Sequence, residues 1–161
     1  MSYTIPAQTS IGHVHLKVAD LNRALAFYKD LLGFEITQQY GDSAVFISAG
    51  GYHHHIGLNT WHSKNAGPAP VRTAGLYHVA ILYPTRKDLA TIFKRLEDAG
   101  YPLTGASDHG VSEAIYLNDP DGNGVELYWD RPKDNWPKDN AGNLWMGTKA
   151  LDLDSLLNEL A

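Results

Sequence analysis

The stretch at residues 11–36, IGHVHLKVADLNRALAFYKDLLGFEI, has a pattern that occurs again from residue 75 as GLYHVAILYPTRKDLATIFKRLEDAGYPL. Each copy contains an alternating apolar segment with one histidine in a matching position, a short turn, a segment of helical periodicity and a terminating glycine. His13 of the first copy corresponds to His78 of the second. An internal repeat of this kind predicts a fold built from two equivalent units.

Alternation within the first segment predicts which way its histidines point. Successive side chains of a strand face opposite sides of the sheet. Val14, Leu16 and Val18 are therefore expected on the face that packs under a helix, and His13 and His15 on the other face. The second copy repeats this phase, so its histidine is also expected to point away from the apolar layer.

The periodicity and the turn signals predict an α+β protein in which each unit has the order βαβββ. The expected organisation is a lead-in at 1–10, a single domain at 11–130 made of units 11–60 and 75–130, and a tail at 131–161 with a short amphipathic helix. Eight strands are expected, at residues 11–18, 34–40, 44–48, 52–59, 76–83, 103–107, 113–117 and 125–129.

The two expected helices have recognisable ends. Asp20 precedes the first helix and is a suitable N-cap, and Thr85 with Asp88 resembles a capping box at the start of the second. Gly33 and Gly100 stand where a helix commonly ends in a left-handed residue. The proline-containing and glycine-containing stretch at 62–73 is expected to link the units.

Composition excludes several classes of protein. The chain has 161 residues, 43% of them hydrophobic, and a net charge of -5 without a basic stripe, so a nucleic-acid partner is not expected. It has no cysteine, which excludes disulfides and thiolate sites. No apolar run approaches the ~18 residues of a membrane span, and the N-terminus has no signal-peptide pattern. The expectation is a cytoplasmic protein without a membrane partner.

A third polar group shares the phase of the two histidines. Val125 and Leu127 are expected on the packing face of the last strand, which places Glu126 on the same face as His13 and His78. Two neutral imidazoles and one carboxylate form a facial set with open positions, as suits non-haem Fe(II). Manganese, nickel or zinc could bind the same set.

Four segments, HVHLKVADL, ALAFYKDLLGF, YHVAIL and YLNDPDGNGVELYW, together resemble the vicinal oxygen chelate superfamily. That superfamily contains glyoxalase I, extradiol ring-cleavage dioxygenases and fosfomycin resistance proteins. The resemblance covers residues 11–130 and is strongest to the first module of catechol 2,3-dioxygenase-like proteins. It implies a half-barrel sheet of two βαβββ units with helices outside, and His13, His78 and Glu126 as the metal ligands.

The dioxygenase branch implies further site residues. Its acid/base is a histidine of the fourth strand, which corresponds to His54 or His55, and its tyrosine ten residues before the glutamate corresponds to Tyr116. Three more polar side chains are expected on the substrate side of the site: His15, His109 and Tyr128. The resemblance thus implies a small aromatic substrate of the catechol type and O2 as partners.

Two other functions stay open at this point. Glyoxalase I has a fourth ligand, a glutamate on the fourth strand, but residues 44–64 contain no carboxylate. That absence disfavours a glyoxalase-like isomerase, whereas a thiol transferase remains possible. A metal-free binding protein of the bleomycin-resistance type is the third possibility, which the intact ligand set disfavours. Dioxygenase-like relatives carry two modules in tandem. This single module is therefore expected to be a complete enzyme that forms a homodimer, through sheet edges or the leucine-bearing tail; the alternative is that it has lost activity along with its second half.

Overall fold

The computed structural model of the protein describes residues 2–161, which divide into two compact units at residues 2–66 and 67–161. Each unit has its own sheet, its own helix on one face of that sheet, and its own apolar core. The predicted α+β class and the two βαβββ units are confirmed. The single-domain boundary at 11–130 stays a prediction. Across residues 2–161, no helix combines the length and the apolar character needed to cross a membrane.

The first unit contains a four-stranded sheet with the strand order β1-β4-β3-β2. Strand β1 runs parallel to β4, and the other pairs are antiparallel. The helix α1 continues directly into a π-helical segment at Ala26–Leu31. The bounds are β1 Val14–Lys17, α1 Leu21–Leu25, β2 Glu35–Tyr40, β3 Ala44–Ser48 and β4 Ile56–Asn59.

The second unit contains a five-stranded sheet with the order β5-β8-β7-β6-β9, in which β5 runs parallel to β8. The tail contributes the short strand β9, which pairs with β6, and a helix α3. The bounds are β5 Val79–Leu82, α2 Arg86–Asp98, β6 Leu103–Asp108, β7 Ser112–Asn118, β8 Gly124–Asp130, β9 Lys149–Ala150 and α3 Leu153–Leu157.

The two sheets repeat each other at the level of strand register. Val14 is paired with Ile56 in the first unit, and Val79 is paired with Val125 in the second, each one residue after the repeat histidine. The sheets also share an irregularity, because the ladder slips by one residue at Thr37 in β2 and again at Thr104 in β6. A bulge of this kind turns the strand locally. The repeat seen in the sequence is therefore a repeat of structure, residue by residue.

The helix ends follow the predictions. Asp20 accepts a hydrogen bond from the backbone N–H of Arg23 at 2.8 Å, and Thr85 accepts one from the N–H of Asp88 at 3.1 Å. Gly33 and Gly100 have φ values of +90° and +61°, which glycine adopts without steric cost. The predicted caps and C-terminal glycines are thus confirmed.

Three strands, β1, β4 and β5, begin three or four residues later than predicted, so the expectation that His13 and His78 lie within strands is wrong. His13 and His78 each lie one residue before the strand. The segment 52–55 is not part of β4, because Gly50 and Gly51 turn the chain with φ values of +66° and +78°. His54 and His55 therefore precede the fourth strand, and strand alternation does not decide which of them faces His13.

The tail forms the predicted amphipathic helix, and it docks on its own unit. Leu156 is fully buried, and α3 contacts α2. Arg86 at the start of α2 donates to the carbonyl of Ser155 at 3.1 Å and to Oε1 of Glu159 at 2.8 Å. The strand β9 was not anticipated from the sequence, since two residues carry no periodicity. The homodimer stays a prediction.

Candidate active site

The second unit brings two of the three predicted ligands together. Nε2 of His78 lies 2.9 Å from Oε2 of Glu126. The side chain of Glu126 is 13% exposed and that of His78 is 31% exposed, so the carboxylate lies mostly below the surface while the ring reaches it. The parallel pairing of β5 with β8 produces this contact, because it sets Ala80, two residues after the histidine, opposite Glu126. The small side chain of Ala80 leaves room for the carboxylate.

Tyr116 holds the other oxygen of the same carboxylate. Its hydroxyl donates to Oε1 of Glu126 at 3.0 Å, and the antiparallel pairing of β7 with β8 sets these two residues directly opposite each other. Burial raises the pKa of the Tyr116 hydroxyl, and the negative charge of Glu126 raises it further. The phenol therefore stays protonated near neutral pH and remains a donor.

His109 extends this arrangement by one more hydrogen bond. Its Nε2 lies 2.6 Å from the hydroxyl oxygen of Tyr116, and its Nδ1 lies 2.8 Å from the carbonyl oxygen of Gly147 in the tail. Four side chains thus form one continuous chain of polar contacts across the sheet, in the order His78, Glu126, Tyr116, His109. The resemblance gave His109 a substrate-side place, and the structure connects it to the glutamate through the tyrosine.

Tyr128 lies on the same face of β8, two residues beyond Glu126. It is half-buried, and burial raises the pKa of its hydroxyl, with smaller contributions from the charges of Asp130 and Glu126. Val125 and Leu127, which alternate with these polar residues, are at most 1% exposed. The predicted division of β8 into a packed face and a polar face is confirmed.

The first unit holds its histidines in a cluster of rings. The ring centroid of His54 lies 4.4 Å from that of His13 and 5.0 Å from that of Phe46. His54 is half-buried, whereas His13 is exposed. The pKa of His54 is lowered, first by desolvation and then by the charges of neighbouring histidines, of which His13 is the largest contributor. A lowered pKa keeps the ring neutral, so it can accept a proton near pH 7.

The two neighbours of His54 make different contacts. Nδ1 of His53 lies 2.7 Å from Nδ1 of His54, so one of these rings donates to the other. His55 turns toward the sheet, where its Nδ1 lies 3.0 Å from Oγ of Ser48 and accepts from the N–H of Ala49 at 3.3 Å. Its ring also contacts Tyr52. Of the two fourth-strand candidates, His54 is the one that contacts His13.

His15 lies over a glycine. A Cβ on Gly57 would come within 2.8 Å of Cδ2 of His15, so no larger residue fits beneath the ring as it stands. Phe46 and Trp61 flank the imidazole, with centroid distances of 5.6 Å and 5.4 Å. The pKa of His15 is lowered, chiefly by desolvation and secondarily by His13. The result is a ring-lined surface on this face of the first sheet.

The structure thus gathers the predicted residues into one group in each unit. The second unit collects His78, Glu126, Tyr116 and His109, and the first collects His13, His15 and His54. Among residues 2–161, no three His, Cys, Asp or Glu side chains are gathered as a ready-made metal site. The full ligand set of His13, His78 and Glu126 stays a prediction.

Several residues of these groups were missed from the sequence. Alternation along β3 between buried Val45 and Ile47 could have placed Phe46 on the polar face beside the histidines. Trp61 follows the end of β4 and had no periodic signal. The contact of Gly147 with His109 is made by a backbone carbonyl, for which a side-chain pattern offers no signal at all.

Comparison with known proteins gives the family. Residues 10–127 match the family model described as glyoxalase/bleomycin resistance protein/dioxygenase superfamily. The crystal structure of a glyoxalase/dioxygenase from Nostoc punctiforme has a TM-score of 0.64 to this chain at 16% identity, covering 82% of this chain and 99% of that one. At this identity the likeness concerns the fold alone.

Two relatives with higher sequence identity to this chain are dioxygenases by name. The catechol-2,3-dioxygenase of Bacillus subtilis (strain 168) is 40% identical over 157 residues, which cover 97% of this chain and 54% of that protein. The biphenyl-2,3-diol 1,2-dioxygenase 3 of Rhodococcus globerulus is 32% identical over 123 residues, covering 74% of this chain and 63% of that one. This chain therefore spans little more than half the length of these dioxygenases. With its repeated βαβββ units and the matching family model, the protein belongs to the glyoxalase/bleomycin resistance protein/dioxygenase superfamily.

Proposed function

We propose that this protein is a metal-dependent dioxygenase of the extradiol type, acting on a small catechol-like aromatic. The observation that carries the proposal is the contact chain of the second unit, in which both oxygens of Glu126 are engaged, one by His78 and the other by Tyr116, while His109 lies on the far side of the phenol. The names of the two relatives, both dioxygenases of aromatic diols, support the same reaction class.

Two of the three proposed ligands lie at a separation that suits a divalent metal. Two ligands at about 2.1 Å from one metal ion and at right angles to each other lie about 3 Å apart, and Nε2 of His78 lies 2.9 Å from Oε2 of Glu126. We propose His13 as the third ligand, on the strength of its matching place in the repeat. Imidazole nitrogens and a carboxylate suit Fe(II), and they also suit manganese, nickel or zinc. A metal held by these residues would supply the Lewis acidity and the redox chemistry through which a catechol could react with O2.

The neighbours of Glu126 would act on the substrate through hydrogen bonds. Tyr116 keeps its proton near neutral pH, so its hydroxyl can donate to a substrate oxygen as it does to Glu126. His109 would hold that hydroxyl in place through its own contact at 2.6 Å. Tyr128, two residues beyond Glu126 on the same face, would line the substrate side.

His54 is the proposed acid/base. Its lowered pKa favours the neutral ring, which would accept a proton from a catechol hydroxyl and later return it to the product. His55 is the weaker candidate, because Ser48 and Ala49 already engage its Nδ1. His15, with the rings that flank it, would form an apolar wall against an aromatic substrate.

The decisive experiment is anaerobic reconstitution with Fe(II), followed by metal analysis and oxygen uptake on a small panel of catechols. Glu126→Gln removes the carboxylate charge with little change in size, and Glu97→Gln on the exposed side of α2 is the matched control, since Glu97 is 51% exposed. We expect about one metal per chain and a ring-cleavage product in the wild type and the control. In Glu126→Gln we expect turnover to fall by at least about 100-fold.

The other outcomes separate the competing functions. Bound metal without oxygen uptake would favour a metal-dependent isomerase or thiol transferase. No metal binding by the wild type, with a small molecule still bound, would favour a metal-free binding protein. Either result would overturn the dioxygenase proposal.

A further inference from the structure

The tail segment at 137–150 passes over the turn between β6 and β7, where His109 lies. The family model ends at residue 127, so this segment lies outside the part of the chain that the model matches. It is tied to the sheet through β9, whose Lys149 and Ala150 pair with Asp108 and Ser107 of β6. The tail therefore enters the immediate neighbourhood of a residue that belongs to the candidate site.

Gly147 contacts His109 at two points. Its N–H donates to the carbonyl of His109 at 3.1 Å, and its own carbonyl oxygen lies 2.8 Å from Nδ1 of the ring. A carbonyl can only accept, so Nδ1 must carry a proton. The other ring nitrogen, Nε2, then faces the hydroxyl of Tyr116 at 2.6 Å. One backbone carbonyl of the tail thus fixes which nitrogen of His109 is presented to Tyr116.

The side chains of Pro137 and Trp145 in the tail pack against the turn between β6 and β7. A Cβ on Gly147 would overlap the ring of Trp145, which shows how closely the indole lies on that residue. At Gly110, next to His109, a Cβ would be 2.9 Å from Cγ of Pro137 and 3.4 Å from Cζ3 of Trp145. The backbone N–H of Trp145 donates to the carbonyl of Pro137 at 2.9 Å, so the backbones of these two residues are joined.

An ion pair holds the turn from the other side. Arg131 donates to both oxygens of Asp108, at 2.7 Å and 3.1 Å, and its Nη1 also lies 3.2 Å from the carbonyl oxygen of Gly110. Asp108 in turn accepts from the N–H of Gly110 at 2.8 Å. The residues on both sides of His109 are therefore fixed, and the tail fixes the ring itself.

We infer that the tail segment 137–150 is a positioning element of the candidate site, in which the carbonyl of Gly147, held in place by Trp145 and Pro137, keeps a proton on Nδ1 of His109 and fixes the orientation of the ring, with Nε2 toward Tyr116. The consequence for catalysis rests on the proposed function. The effect on the His109 ring does not depend on the proposed function, since it is a property of the protein without substrate or metal.

The test is long-range ¹H–¹⁵N correlation NMR on the full chain, which distinguishes protonated from unprotonated ring nitrogens. His109→Gln identifies the signals by their loss. We expect the wild type to show a proton on Nδ1 of His109, and Trp145→Ala to show that proton at lower occupancy. Met146→Ala is the matched control in the same segment, because that side chain is 66% exposed. Pro137→Ala is a second variant that weakens the same contact, should Trp145→Ala fold poorly.

In the reconstituted enzyme, Trp145→Ala should lower kcat by about tenfold with little change in KM, since the substrate contacts remain and only the alignment of the reacting groups is lost. The inference is overturned if the His109 ring is unchanged in both Trp145→Ala and Pro137→Ala, or if Met146→Ala changes it equally. If the wild type turns over no catechol, the proposed function fails, and the NMR result alone decides the positioning role.

Discussion

The two units place different functional side chains at matching positions of their two sheets. In the second unit Ala80 is paired with Glu126, and in the first unit the residues in those positions are His15 and Gly57. Each pair combines one small residue with one functional residue, but the strand that carries the functional residue is exchanged. The neighbouring strands also differ. In the second unit Tyr116 of β7 is paired with Glu126, whereas in the first unit Phe46 of β3 is paired with Gly57.

The two units also differ in the interactions that position their polar side chains. In the second unit, groups are joined by hydrogen bonds to an acidic side chain that is mostly buried, which specifies distance and direction. In the first unit, imidazole rings are held by contacts with aromatic rings, which specify position less strictly. A repeat of backbone structure therefore leaves each unit free to carry different functional side chains.

The largest expected effect concerns the charged groups that anchor the second unit. Glu113 is 6% exposed at its side chain and accepts from Arg86 and Arg131, each at 2.7 Å. Glu113→Ala would leave two guanidinium groups close together without their shared partner. We expect the free energy of unfolding to fall by about 3–5 kcal/mol, measured by urea denaturation.

Glu97→Ala is the control for that measurement. Glu97 forms an exposed pair with Lys94 on α2, where such pairs contribute at most about 1 kcal/mol. If the two substitutions cost the same, Glu113 has no special part in anchoring the unit.

The second prediction exchanges one hydroxyl between the units. Tyr116→Phe removes the group that joins Glu126 to His109, and we expect turnover on a catechol to fall by about 10-fold to 100-fold. Phe46→Tyr adds a hydroxyl at the matching position of the first unit, where neighbouring histidine rings provide no carboxylate. We expect that variant to stay within about threefold of wild type, since aromatic contacts depend little on a hydroxyl. If Tyr116→Phe and Phe46→Tyr lowered steady-state turnover equally, the hydroxyl of Tyr116 would have no special role in the second unit.

The third prediction concerns the glycine beneath His15. Gly57→Ala places a methyl group within 2.8 Å of the imidazole, so the ring must move. Overpacking of this kind costs about 1–3 kcal/mol, and the altered environment should change the NMR titration of His15. Gly75→Ala is the control, since a Cβ there would have no neighbour within 4 Å among the described residues. An unchanged His15 signal in Gly57→Ala would show that the ring does not depend on the glycine.

The smallest effect is a dependence of stability on pH. The hydrogen bond from Arg131 lowers the pKa of Asp108 below its ordinary value of about 4. The folded state then binds fewer protons at this group than the unfolded state, so its stabilising contribution is complete above the ordinary pKa and is lost as the pH falls through the folded one. We expect wild type and Asp108→Asn to differ most above about pH 5 and to converge at lower pH. A difference that grows on acidification would contradict the assigned direction.

Much of the fold was predictable because its signals are local. Alternation placed Leu16 and Val18 in the core, and turn chemistry placed Asp20 and Gly33 at the ends of α1. Strand starts were less predictable, since β4 begins only at Ile56, after two left-handed glycines whose conformation the sequence does not specify. The pairing of Tyr116 with Glu126 came from the family resemblance, and the structure supports it with a direct hydrogen bond.

The sequence by itself determined the repeat, the phase of its polar residues and the superfamily, because periodicity and side-chain chemistry are written along the chain. Only the tertiary structure decided that His54 contacts His13 while His55 turns toward Ser48, and that His109 joins Tyr116 to the tail. These contacts depend on strand register, on the direction of single rings and on a backbone carbonyl at Gly147. None of them has a side-chain pattern that a linear sequence could display.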